Sequence, residues 1–161
     1  MKINASQLLN ILQQRQITYT VREHRPIYTV SEGTALGLPH IEAAVKSLFI
    51  TDDKRQSFYL AVLPLDKRLD LKLLRSLLQA RRLTMAAAQE LKAMLDVEPG
   101  AVTPLALIAN SQPVALVFDA SLQNRAIAIP LDGNTKTVWL PCGALEKLLA
   151  EYGYTVQYAA L

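Results

Sequence analysis

Val45-Lys46-Ser47-Leu48-Phe49-Ile50-Thr51 is followed by five polar residues, Asp52-Asp53-Lys54-Arg55-Gln56, and then by Ser57-Phe58-Tyr59-Leu60-Ala61-Val62-Leu63. Two β-rich runs flanking a polar loop predict a hairpin. In the first run Lys46, Leu48 and Ile50 share one face, and Val45, Ser47 and Phe49 share the other. Both faces are mostly apolar, as in a strand covered on two sides. Lys46 is the misfit. An ammonium in such a strand loses hydration, at a cost of several kcal/mol unless an anion or pocket compensates. It could instead lie at the strand's entrance and carry its charge out to water. Both readings stay open from the residues alone.

Outward from the hairpin, Leu8, Leu9, Ile11 and Leu12 predict a helix over 6–15, with Asn4 or Ser6 as N-cap. Tyr19 and Val21 alternate with polar neighbours in a short strand that ends near His24-Arg25-Pro26. Val30 to Leu36 reads as a short helix stopped by Gly37 and Pro39. Further helices are expected at Asp70 to Gln79 and Ala86 to Leu95. Strands are expected at Val114 to Phe118, Ala126 to Ile129 and Thr137 to Leu140. Pro141 suits the first position of a last helix closed by Gly153, and Thr155 to Tyr158 could return as a strand. Several strands are joined by links too short for a crossover helix. The expected fold is therefore α/β of the α+β kind: a mixed, mostly antiparallel curved sheet or barrel flanked by helices.

The chain has 161 residues, 51% of them apolar and 19% charged, which is too apolar for a disordered protein. A chain of this size buries about 70% of its unfolded surface, so residues 1–161 are expected to form a single domain. The lone Cys142 excludes an internal disulfide, and His24 and His40 lack a usual zinc spacing, so no metal site is expected. No apolar run approaches the roughly 18 residues that span a bilayer. The first residues lack the apolar region of a signal peptide, so a cytoplasmic protein is expected. Neither G-x-G-x-x-G nor a P-loop occurs, which argues against a nucleotide-fuelled enzyme. No patterned stripe separates an interface from the core, so the oligomeric state stays open.

The net charge is only +3, but eight basic residues fall between Lys54 and Arg82 against Asp66 and Asp70. Such a cluster attracts a polyanion and gains from counterion release. Within it Lys72, Arg75, Gln79 and Arg82 fall at helical spacing, with Leu71, Leu74, Leu77 and Leu78 opposite. The same pattern describes the solvated side of an amphipathic helix, so it permits an RNA partner without requiring one.

Two loops stand out. In Pro99-Gly100-Ala101-Val102-Thr103-Pro104, glycine and prolines bracket small residues, leaving backbone N–H groups free to meet a ligand's carbonyl or phosphate. In Ile129-Pro130-Leu131-Asp132-Gly133-Asn134 a turn interrupts a strand. From composition alone the first reads better as an ordinary helix-to-strand turn, and the second also fits a plain hairpin connection. No serine or cysteine is patterned with a histidine as nucleophile and base. Cys142, beside Pro141 at a helix start, could have a lowered thiol pKa, though a buried structural role suits it better. Asp66 and Asp70 suit helix capping better than paired acid–base work.

Taken in order, the chain resembles the prolyl-tRNA-synthetase-associated editing domains, the YbaK/ProX-like aminoacyl-tRNA deacylases. The resemblance runs through His24-Arg25-Pro26, Thr29-Val30-Ser31-Glu32, Val45 to Ile50, Asp66 to Lys72, Arg82-Leu83-Thr84, Pro99 to Leu105, Phe118 to Leu122 and Ile129-Pro130-Leu131. It implies a curved, mostly antiparallel sheet around a small pocket. It also implies hydrolysis, in trans, of the ester joining a wrong small amino acid to the terminal adenosine of a tRNA, with tRNA(Pro) the leading expectation. No cofactor is implied. The partners it implies are aminoacyl-tRNA and, as a second candidate, prolyl-tRNA synthetase, not DNA or a membrane.

Carried over by position, Lys46 resembles the family lysine beside the scissile ester, and Gly100 and Pro104 resemble the glycine and proline of the pocket loop. Ser47, Ala101, Val102, Thr103, Ile129 and Gly133 would contact substrate. Lys67, Arg68, Lys72, Arg75 and Arg82 would face the tRNA. The family's chemistry leans on the substrate's own 2′-hydroxyl and an ordered water. Two departures stand out. Ile129 replaces a histidine common in the family, and Ser47 replaces a common asparagine. The family's next asparagine aligns without a gap on Gly133, with Asn134 one step away. A module that binds an aminoacyl-tRNA end or a synthetase without turnover is the alternative on this fold.

Overall fold

A computed structural model describes residues 1–161. It contains eight strands, β1 (Thr20–Glu23), β2 (Val45–Asp52), β3 (Phe58–Pro64), β4 (Leu83–Met85), β5 (Ala115–Asp119), β6 (Ala126–Pro130), β7 (Lys136–Pro141) and β8 (Val156–Ala159). Five helices accompany them: α1 (Ala5–Gln14), α2 (Val30–Ala35), α3 (Leu71–Leu78), α4 (Ala88–Leu95) and α5 (Cys142–Glu151). The mixed α/β architecture is the expected one, divided between two sheets. A five-stranded sheet has the order β4-β2-β3-β5-β8 and a three-stranded one the order β1-β7-β6. An isolated bridge between Ala44 and Ala128 joins them.

The hairpin forms as its sequence predicts, antiparallel from Val45↔Pro64 to Thr51↔Phe58. Its loop is closed from within, because the Asp52 carboxylate accepts the Gln56 N–H at 2.8 Å. Both faces of β2 are covered. Val45 and Phe49 enter the larger core with Leu8, Leu105 and Phe118, while Ile50 joins Leu63, Leu74 and Val117 in a smaller one beneath α3. The pairings β3–β5 and β5–β8 are parallel. Each has a long connection containing helix, as parallel pairing requires.

Several boundaries differ from the expectation. Asn4, rather than Ser6, caps α1 and forms a reciprocal capping box with Gln7. Helix α3 stops at Leu78 because Gln79 turns left-handed (φ 49°). Arg82 therefore lies beyond the helix and does not share its face with Lys72 and Arg75. The next residues form β4, which pairs Leu83–Met85 with Asp52–Ile50 and delays the start of α4 to Ala88. Pro141 ends β7 and occupies the position just before α5 instead of its first turn.

Candidate active site

A cavity of about 420 Å³ opens between the start of β2, strand β6 and the loops around Tyr28 and Gly100. It exists because β2 is paired unevenly. On the side away from β3, β4 covers only Ile50–Asp52, and the Ala44–Ala128 bridge lies just before the strand. The Phe49 carbonyl, which accepts the Ala86 N–H at 2.9 Å, points to this side. By the two-residue alternation of an antiparallel strand, the N–H and C=O of Ser47 point there as well, into the uncovered gap. The wall is mostly apolar, with 17 hydrophobic residues of 24.

Lys46 lies on this wall, half-buried, and takes part in none of the ion pairs of the chain. Its neighbour Ser47 is 8% exposed, and the Ser47 Oγ has no hydrogen-bond partner within the protein. The same holds for the Asn134 Nδ2, on another part of the wall. A buried polar atom left unmet costs about 1–3 kcal/mol. The cavity thus combines an uncompensated cation, an unpaired strand edge and two unpartnered polar side chains within an apolar lining.

The loop after α4 supplies the facing wall through Pro99, Gly100 and Val102. Gly100 has φ +86°, and a Cβ there would lie 3.0 Å from the Tyr28 ring. The backbone conformation favours glycine, and a side chain there would press on the neighbouring ring. Ala101, Thr103 and Pro104 do not line the cavity. Thr103 is fully buried and its hydroxyl accepts the Leu105 N–H at 3.4 Å, capping a 3-10 helix at Pro104–Ala109. Pro104 is buried at the start of that helix, so these residues fix the loop from behind. Ala101 and Thr103, expected to contact substrate, and Pro104 thus lie behind the cavity wall and not on it.

On the opposite side Ile129 lines the cavity and is fully buried. Gly133 does not line it. It sits in the β6–β7 turn at φ +77° with open space around it, and the turn delivers Asn134 to the wall instead. The turn therefore sets which of the two neighbouring residues points inward, and that residue is Asn134.

The sequence from 24 to 148 matches the family model described as "Aminoacyl-tRNA editing domain". The chain belongs to this family. It is an aminoacyl-tRNA editing domain, whose enzyme class is the ester hydrolase that deacylates tRNA. It is similar to the "Prolyl-tRNA editing protein ProX" of Acetoanaerobium sticklandii, 33% identical over 146 residues and 89% of each chain. It is also similar to the zebrafish (Danio rerio) "Prolyl-tRNA synthetase associated domain-containing protein 1", 34% identical over 72% of this chain and 63% of that protein. A crystal structure titled as a trans-editing enzyme candidate for prolyl tRNA synthetase superposes with a TM-score of 0.73. It covers 98% of this chain and 95% of the other, at 23% identity, a likeness of fold.

The basic cluster of the editing domain divides when its partners are counted. The Lys67 Nζ is paired with the Asp119 carboxylate at 3.0 Å, and Arg81 with Asp53 at 2.8 Å. Arg75 reaches the Ala80 carbonyl, the cap region of its own helix. Arg68, Lys72 and Arg82 are exposed and form no ion pair. None of the five residues expected to face tRNA lines the cavity. They belong to the outer surface.

The histidines take no catalytic arrangement. The His24 ring nitrogens are held by the Arg25 carbonyl and the Thr137 hydroxyl, each at 2.7 Å, while His40 lies beside Glu42. Cys142 is fully buried, and burial pushes its thiol pKa up despite a contact with the Tyr158 hydroxyl. The helix start does not activate it. No group of three His, Cys, Asp or Glu side chains is assembled as a metal site.

Sequence reasoning did not single out Tyr28, Met85, Ala86, Leu91 or Trp139, all of which contribute to the wall. Tyr28 offered a signal, an aromatic residue directly before the capping Thr29 of a helix. Met85 and Trp139 are brought in by pairing across strands, Ala86 by its N–H bond to the Phe49 carbonyl and Leu91 by the packing of α4, and none carries a local mark.

Proposed function

We propose that this editing domain, acting as one unit over residues 1–161, hydrolyses in trans the ester between a mischarged small amino acid and the terminal adenosine of a tRNA, with tRNA(Pro) the first carrier to test. The single observation that carries this reading is Lys46, a lysine without a carboxylate partner on the wall of a largely apolar cavity. A cation so placed favours negative charge developing on an ester carbonyl oxygen, and water exclusion strengthens its effect. The Ser47 N–H, on the edge of β2 beyond the stretch that β4 covers, would be a second donor on the same wall. Water adds to the carbonyl carbon. Collapse then breaks the bond to the ribose oxygen, which takes up a proton, giving a free amino acid and an intact tRNA end. The substrate's adjacent 2′-hydroxyl would orient that water, in keeping with a cavity wall that holds no nucleophile–histidine pair.

Ile129 gives the wall an apolar surface where a histidine would offer a hydrogen bond. Selection among small side chains would follow from size and fit, and a single methylene is worth about 1–3 kcal/mol in such a pocket. The exposed cations Arg68, Lys72 and Arg82 would hold phosphates of the tRNA. Prolyl-tRNA synthetase is the associated partner to examine, and the cytoplasm is the compartment this work would occupy.

Single-turnover deacylation of tRNAs carrying alanine, serine, cysteine, threonine or proline tests the proposal, with Lys46→Ala run alongside. Release of one amino acid well above background, lost in the variant, supports it. Background rates throughout with retained tRNA binding would favour the alternative, a module that holds the aminoacyl end without turnover. The buried, non-hydrogen-bonding Ile129 is the observation that keeps that second reading in view.

A further inference from the structure

Tyr28 is unusual among the residues around the cavity. It is 63% exposed, the most exposed of the large apolar and aromatic side chains, yet it lines the cavity mouth. Most such rings are buried for their area. The segment that carries it is held in place, and the ring itself rests against one neighbour. The Tyr28 backbone N–H donates to the Glu32 carboxylate at 2.8 Å, and Glu32 is fixed by its own N–H bond to the capping hydroxyl of Thr29. Helix α2 is seated against Ile41 at Gly33, where a Cβ would meet Ile41 at 2.4 Å. The ring itself approaches Gly100 through Cε1 and Cδ1, that is, along one edge, which leaves its faces open.

An exposed aromatic held by its edge, with free faces at the entrance to a cationic cavity, has the form of a stacking platform. We infer that Tyr28 stacks the terminal purine base of the tRNA at the cavity mouth, while the ester passes Gly100 toward Lys46. The inference rests on the proposed function and adds to it a subsite for the base. Glycine at position 100 then serves two purposes, since a side chain there would displace the ring as well as narrow the passage. Met85, 45% exposed and also on the wall, gives the base a second apolar neighbour.

The test compares Tyr28→Ala and Tyr28→Phe on two esters, one on a normal tRNA minihelix and one on a minihelix whose terminal nucleoside lacks its base. Stacking contributions of the usual size predict that Tyr28→Ala lowers kcat/KM on the normal ester by about 5- to 150-fold. The loss should appear mainly in KM, with Tyr28→Phe recovering most of the rate. On the abasic ester, wild type and Tyr28→Ala should be equal. An equal loss on both esters, or no loss on either, overturns the platform. A binding measurement separates this from failure of the deacylase reading itself. A deacylated CCA-ended minihelix with 2-aminopurine as the last base should be quenched by wild type and much less by Tyr28→Ala. Equal quenching overturns the inference even if no ester is cleaved.

Discussion

Lys46 and Lys67 invite comparison, because both are half-buried lysines that border the same sheet and their surroundings differ completely. Lys67 meets Asp119, whose side chain is 2% exposed and also accepts from the Ser121 hydroxyl at 2.5 Å and the Leu161 N–H at 3.1 Å. Its charge completes an internal network that ties the end of β5 to the chain after β8. Lys46 faces an apolar cavity with no carboxylate in reach. The same residue type thus forms a structural joint in one place and, on the function proposed above, part of a binding site in the other. What distinguishes them is whether the protein itself supplies the counter-charge. Counting basic residues along the chain cannot make that distinction, and the partners can.

The sharpest way to test the contrast is to remove each lysine's effect in turn. Lys46→Ala should lower single-turnover deacylation by about 10²- to 10³-fold, as for loss of an oxyanion-stabilising donor. The free energy of denaturant unfolding should change little, by about 1 kcal/mol or less. A large stability loss with retained rate would reverse the assignment.

Asp119→Ala should do the opposite. It leaves Lys67 and the Leu161 N–H without their acceptor and should cost about 2–3 kcal/mol in urea unfolding, with the single-turnover rate preserved. The network also has a pH signature. Burial pushes the Asp119 carboxyl up, but the Ser121 hydroxyl, the Leu161 N–H and Lys67 together hold it below the ordinary carboxylate value. A depressed folded-state pKa contributes stability that is complete above the unfolded value of about 3.9 and is lost as pH falls through the folded one. Unfolding curves between neutral pH and about pH 3 should therefore show a shallower acid loss in Asp119→Asn than in wild type.

The smallest effect should come from the outer surface. Replacing Arg68 and Lys72 together by alanine should weaken tRNA binding and reduce the slope of log affinity against log salt by about 0.7–0.9 per lost phosphate contact. The rate on saturating substrate should stay as in wild type. An unchanged slope would restrict these cations to solvation and place the tRNA elsewhere.

Much of this was legible in the residues, for identifiable reasons. The hairpin from Val45 to Leu63 is written in β-rich runs and a polar loop, and the prominence of Lys46 follows from its apolar neighbours. Gly100 was visible between prolines. What could not be read depends on single backbone turns and on long-range pairing. Gln79 leaves the helix left-handed, which removes Arg82 from the face shared by Lys72 and Arg75. The β6–β7 turn sends Asn134, not Gly133, to the cavity. Strand β4 is only three residues long and exists through its pairing with β2, so no local pattern announces it. The pairing of Lys67 with Asp119 joins residues far apart in the chain and has no signature in either segment.

The parallel register of the larger sheet has a kinetic consequence. Tyr59 of β3 lies beside Ala115 of β5, so the centre of the sheet forms only after a long loop closes. Loop closure of this kind is paid before its contacts form, which slows folding relative to local hairpins. The β2–β3 hairpin needs no such closure and is available early. The cavity, in contrast, draws its wall from Ile27 through Trp139 and is complete only when the distant segments have docked. In a refolding experiment the hairpin region should gain hydrogen-exchange protection first, and the capacity to bind a tRNA end should be among the last properties to return.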